Sequence, residues 1–217
     1  MSPAAVVTKM PLVSRFGDSY AGSIQWLLFV DGTAMKKFSV WLAAILLAAG
    51  LGFVAAGPAS AATPYCGLTW GSLMKADGAM TGAPVTNVRT GQHYCFDRLV
   101  VDLGGMPAPG YSVRYVGQVI QDGSGAVVPV RGGARLQVVV KAPAYDNNGQ
   151  PTYTPADKAG LANVSGYQTF RQVAWAGSFE GQTTIGLGVR ARLPFRVFTL
   201  DGPGAGSRLV VDVAHYW

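Results

Sequence analysis

Hydrophobic and polar positions divide the chain at about residue 61. Before it, residues 38–56 (FSVWLAAILLAAGLGFVAA) form an apolar stretch with neither charge nor proline. After it, apolar residues come in short β-rich runs at 85–89, 98–103, 111–120, 136–141, 168–174, 183–189, 195–200 and 209–214. Turn-forming clusters separate the runs, among them Gly104-Gly105-Met106-Pro107, Asp122-Gly123-Ser124-Gly125, Asp146-Asn147-Asn148-Gly149 and Asp201-Gly202-Pro203-Gly204. Many short strands at near-regular spacing predict an all-β fold, a sandwich or a barrel. Residues 136–140 read as a central strand covered on both faces, and 111–116 as a half-exposed one. Residues 145–155 read as an ordered surface loop. Only 154–163 and 71–79 have room for a helical turn, because glycine and proline are dense elsewhere.

The early apolar stretch follows Met35-Lys36-Lys37 and precedes Gly57-Pro58-Ala59-Ser60-Ala61. A basic start, an apolar run, a helix breaker and a small-x-small site are the grammar of a secretory signal peptide. Residues 35–61 are therefore expected to be that signal, cut after Ala61. The alternative is an uncleaved anchor over 38–56, close to the roughly 20 residues that span a bilayer. Residues 1–34 then belong to a mis-assigned upstream start or an extended n-region. The working part is 62–217, long enough for one sizeable core.

Charge narrows the partners. Residues 62–217 carry 13 Lys and Arg against 9 Asp and Glu, a net charge of +4, and ten of the cations are arginine. Modest positive charge outside a cell suits an anionic wall or membrane surface. There is no basic run, which argues against nucleic acid. Both cysteines, Cys66 and Cys95, lie in the exported part, where an even pair most simply forms a disulfide. The loop of about 30 residues would stabilise the fold by roughly 3 kcal/mol.

One string occurs twice. Arg98-Leu99-Val100-Val101-Asp102-Leu103 returns as Arg208-Leu209-Val210-Val211-Asp212-Val213. On a strand each copy offers an apolar face and an opposite face carrying an Arg and an Asp. A pseudo-symmetric two-sheet β-sandwich is a natural source of such a repeat.

The second copy has a lead-in, Phe195-Arg196-Val197-Phe198-Thr199-Leu200-Asp201-Gly202-Pro203. With Arg208 to Asp212 it resembles the AMIN domain family: an aromatic-x-Val-aromatic-x-Leu strand, a turn holding proline, and an Arg-hydrophobic-Val-hydrophobic-Asp strand. The first copy is similar to the family's earlier Arg/Asp strand. Thr183 to Arg190 ahead of this lead-in looks like the secreted AMIN-like proteins of actinobacteria. The resemblance covers roughly 66–217, and the cysteine pair and the insert at 142–166 depart from the pattern. It implies a β-sandwich that binds rather than catalyses, targeted to the cell envelope through peptidoglycan. A lone module of this kind would serve as an adaptor or wall component.

Reactive groups are few. The histidines are His93 and His215, and Glu180 is the one glutamate. Ser178 lacks a nucleophile elbow. His93, His215 and Glu180 have no helical metal-ligand spacing. No metal site, catalytic residue or cofactor is therefore assigned, and a small wall hydrolase stands as the third option. A binding face is better supported. Continuing the alternation Ile185, Leu187, Val189 against Gly186, Gly188, Arg190 puts Arg190, Arg192, Arg196 and Phe198 on one face, unless Pro194 breaks the parity. Arg98 and Arg208 of the repeat join them as candidates. Arginine forks bind carboxylates and phosphates in two-point fashion, groups that peptidoglycan stems and teichoic acids carry. The expected partner is such a polymer, with another exported protein as the alternative. Trp70 and Trp175 are expected in the core, and Trp217 could face either way.

Overall fold

The computed structural model describes residues 64–217. The upstream segment 1–34, the signal at 35–61, its cleavage at Ala61 and the alternative anchor at 38–56 lie outside the described residues.

Seven of the eight apolar runs give one strand each, and the run 111–120 divides at Gly117-Gln118 into two. In chain order the strands are β1 (Lys75–Asp77), β2 (Val85–Gln92), β3 (Phe96–Leu103), β4 (Gly110–Val116), β5 (Val119–Ile120), β6 (Val127–Val128), β7 (Ala134–Lys141), β8 (Phe170–Phe179), β9 (Gln182–Val189), β10 (Phe195–Asp201) and β11 (Ser207–Ala214). They form a five-stranded sheet, β1-β4-β7-β9-β8, and a four-stranded sheet, β10-β11-β3-β2, with β5 and β6 as a separate hairpin. Neighbours are antiparallel throughout. The fold is an all-β sandwich. Neither 71–79 nor 154–163 is helical: the first contains β1, the second is irregular, and the one helical turn among the described residues is a 3-10 turn at Tyr65–Gly67.

Period-two patterning builds the core. Leu99, Val101 and Leu103 of β3 and Leu209, Val211 and Val213 of β11 face Val113, Leu136, Val138, Val140, Phe170, Ile185 and Leu187 of the other sheet, all buried. Burial of side chains of this size contributes about 1.5–3 kcal/mol each. β7 is indeed central, between β4 and β9.

The glycines of β9 have a different reason from a basic face. A Cβ on Gly186 would lie 2.7 Å from a methyl of Val130, and one on Gly188 would lie 1.9 Å from the Arg131 carbonyl oxygen. Their bare backbone lets the segment carrying β5 and β6 lie directly on the sheet, sealing Val119, Val130, Ala174 and Ala176.

The insert at 142–166 closes one side of the sandwich. Trp175 N–H donates to the Lys158 carbonyl at 2.7 Å and Leu161 N–H to that of Val173 at 2.8 Å, so the insert pairs with the free edge of β8. On the other sheet, Thr152 Oγ1 donates to the Val85 carbonyl at 2.7 Å, and Gln92 Nε2 donates to the Gly166 carbonyl at 3.0 Å. Unpaired strand edges invite edge-to-edge association, and the insert covers both.

Candidate binding face

The two copies of the repeat lie side by side. β3 and β11 pair antiparallel, with Arg98 opposite Asp212, Val100 opposite Val210, and Asp102 opposite Arg208. Each Arg of one copy therefore meets the Asp of the other, a local two-fold arrangement within one sheet. β10 extends the rows, with Arg196 opposite Asp212, Phe198 opposite Val210 and Leu200 opposite Arg208. These residues point away from the core and make the outer face of the four-stranded sheet.

The pairing is less symmetric than the sequence. Asp212, fully buried, takes Arg98 Nε at 2.6 Å and Nη2 at 2.9 Å, and also Arg196 Nε at 2.8 Å and Nη2 at 2.7 Å. Two guanidiniums thus share one carboxylate, leaving a net positive charge. Asp102 is taken instead by Arg89 of β2, at 2.8 and 2.9 Å. Arg208 donates from Nη2 to the Asp201 carbonyl at 3.1 Å, and its Nε is buried without a partner. Val100 and Val210, on this outward side, are 6% and 1% exposed. The stems of the long side chains above account for that cover.

Aromatic rings frame the shared carboxylate. The Arg196 guanidinium lies 5.0 Å from the ring centre of Phe198, 5.3 Å from Phe96 and 5.6 Å from Trp70, and Arg98 lies 5.1 Å from Phe96 and 5.5 Å from Phe198. Cations above ring faces are attracted by the ring quadrupole. Trp70 reaches this position because the Cys66–Cys95 disulfide ties the 3-10 turn to the start of β3. The same segment pairs with β10 through Phe195 N–H on the Gly71 carbonyl, 2.9 Å. Beside Trp70 opens a cleft of about 300 Å³ lined by Tyr65, Leu68, Pro194 and Trp217. Trp217 in its lining is 72% exposed.

The six candidates separate into two groups. Arg98, Arg196, Phe198 and Arg208 share the outer face. Arg190 and Arg192 do not continue it, because β9 and β10 belong to different sheets and the chain crosses between them through Leu193 and Pro194. Arg190 donates to the His215 carbonyl and lies 5.7 Å from the Tyr216 ring centre. Arg192 lies 5.0 Å from the Tyr115 ring centre and donates to the Ser72 carbonyl at 3.3 Å. Tyr115 donates to the Leu193 carbonyl at 2.7 Å, and burial pushes its phenol up to about 12. Trp70 and Trp175 are both half-buried. Trp175 packs on Tyr153 at 5.4 Å beneath the insert, against the core.

The histidines have structural places. Asp97, buried, accepts the N–H groups of Thr169 and Phe170 at 2.6 and 3.0 Å, and its other oxygen lies 3.2 Å from His215 Nε2. This clamp joins β3 and β11 to the start of β8. Glu180 follows the other end of that ten-residue strand, about 30 Å away at 3.3 Å per residue. Glu180 and His215 therefore cannot share a catalytic site. His93 stacks on Phe96 at 4.6 Å. Among the described residues no three His, Cys, Asp or Glu side chains are grouped to hold a metal.

A family model described as the AMIN-like domain matches residues 83–215, more than half of the chain. The chain belongs to the AMIN-like domain family. The match takes in both Arg/Asp strands and all of β10, and leaves Tyr65 and Trp70 outside it. AMIN-like domains are binding-type modules and not a known catalytic family, which fits an extracytoplasmic protein with a wall-related role. No helix of the described residues is long and apolar enough to cross a membrane. No curated protein and no solved structure matches the chain.

Proposed function

We propose that this AMIN-like domain is an exported, non-catalytic module that binds an anionic polymer of the bacterial cell wall, peptidoglycan or teichoic acid, on the outer face of β10, β11 and β3. The supporting observation is the Asp212 cluster: two arginines on one buried carboxylate, each among aromatic rings, beside the Trp70 cleft. Fixed guanidiniums offer their remaining N–H groups to carboxylate or phosphate. The rings offer flat apolar faces to the C–H side of a sugar. Arg190 and Arg192, nearby in the crossover, add positive charge that would strengthen encounter with a polyanion.

Co-sedimentation of the purified full-length chain with sacculi, with and without teichoic acid, tests this reading. The chain should pellet and be released by salt. A Phe198→Ser/Arg208→Gln variant of unchanged thermal stability should pellet at least tenfold less. Equal pelleting would remove the outer face as the site. No pelleting of the parent chain would turn the search to another exported protein as partner.

A further inference from the structure

A second groove, of about 460 Å³, lies where the insert crosses the beginning of β8, and its lining includes Arg131, Asn163, Ser165, Tyr167, Arg171 and Gln172. Its volume falls within the roughly 300–1,000 Å³ usual for small-molecule sites. No carboxylate lines it.

Both arginines are placed by the fold. Arg131 is carried over β9 by the bare backbone of Gly188, and its own N–H donates to Gln172 Oε1 at 2.7 Å, with Nε reaching the same oxygen at 3.4 Å. Arg171 donates to three carbonyls, those of Phe170, Tyr167 and Gln168, at 2.8, 3.0 and 3.2 Å. Neither is among the ion pairs of the described residues. Two permanent charges therefore line one concave site, held by neutral groups and without an ion-pair partner among the described residues. Arg98 and Arg196, by contrast, share the carboxylate of Asp212, and Arg89 has that of Asp102.

We propose that this groove is a separate oxyanion site, taking a carboxylate or phosphate group between Arg131 and Arg171. It is independent of the outer face, so either can fail without the other. The test follows amide shifts of the ¹⁵N-labelled full-length chain during titration with acetyl-Ala-Ala bearing a free carboxylate, with the same dipeptide as its C-terminal amide, and with glycerol 3-phosphate. One or both anions should shift amides in 160–173, and the neutral amide should not. Their relative affinities say whether a peptide terminus or a phosphate is the better source. Arg131→Gln, an exposed change of little structural consequence, should weaken binding at least tenfold, while Phe198→Ser should leave it unchanged. The site is ruled out if neither anion shifts these amides, if the neutral dipeptide shifts them equally, or if Arg131→Gln binds like the parent.

Discussion

At Asp212 a carboxylate with no exposed surface accepts from two guanidiniums that are themselves about a quarter exposed. A buried charge is tolerated only with its partners in place, and removing one side of such a group is strongly destabilising. Asp212→Asn should therefore cost about 3 kcal/mol in urea unfolding. Asp102→Asn, which breaks a partly exposed pair with Arg89, should cost under about 1 kcal/mol. Equal costs would mean that Asp212 is not the electrostatic centre described here. The repeated Arg/Asp spacing was visible in the sequence, but the unequal pairing was not. It depends on which neighbour stands beside each copy: β10 supplies Arg196 to Asp212, while β2 supplies Arg89 to Asp102.

Element boundaries were readable wherever alternation met a turn cluster, as at Gly104 to Pro107 and Asp201 to Gly204. What failed was carrying side-chain parity from β9 across Pro194, because the chain changes sheets there and alternation holds only within one strand. The glycines at 186 and 188 also carried a signal that parity could not interpret. They mark the close approach of a segment more than fifty residues earlier, its valine methyls over Gly186 and its backbone over Gly188. Gly188→Ala should detach that segment, since the added Cβ would sit 1.9 Å from the Arg131 carbonyl oxygen. We expect a loss of more than about 2 kcal/mol and faster hydrogen exchange at 117–133. Unchanged exchange there would contradict the packing described for the β5–β6 hairpin.

For the whole molecule, closure of the sandwich and assembly of the binding face depend on different covers. The insert seals the side at β2 and β8, while the segment from Tyr65 to Gly71, held by the disulfide, completes the aromatic end beside β10. The cysteine pair was evident in the sequence, yet its role in placing Trp70 against Arg196 required the topology. Cys66→Ser/Cys95→Ser should lose about 3 kcal/mol by the loop-entropy argument. It should also weaken wall binding more than any equally destabilising core substitution; equal weakening would leave the disulfide a purely structural role. The most direct test of the outer-face assignment is a hydrogen-exchange footprint of the full-length chain with soluble wall fragments. Protection is expected in Phe195–Asp201, in Ser207–Ala214 and around Trp70, with little change in Lys75–Asp77 and Gly110–Val116 of the opposite sheet. Protection confined to the five-stranded sheet, or none at saturating fragment, would contradict it.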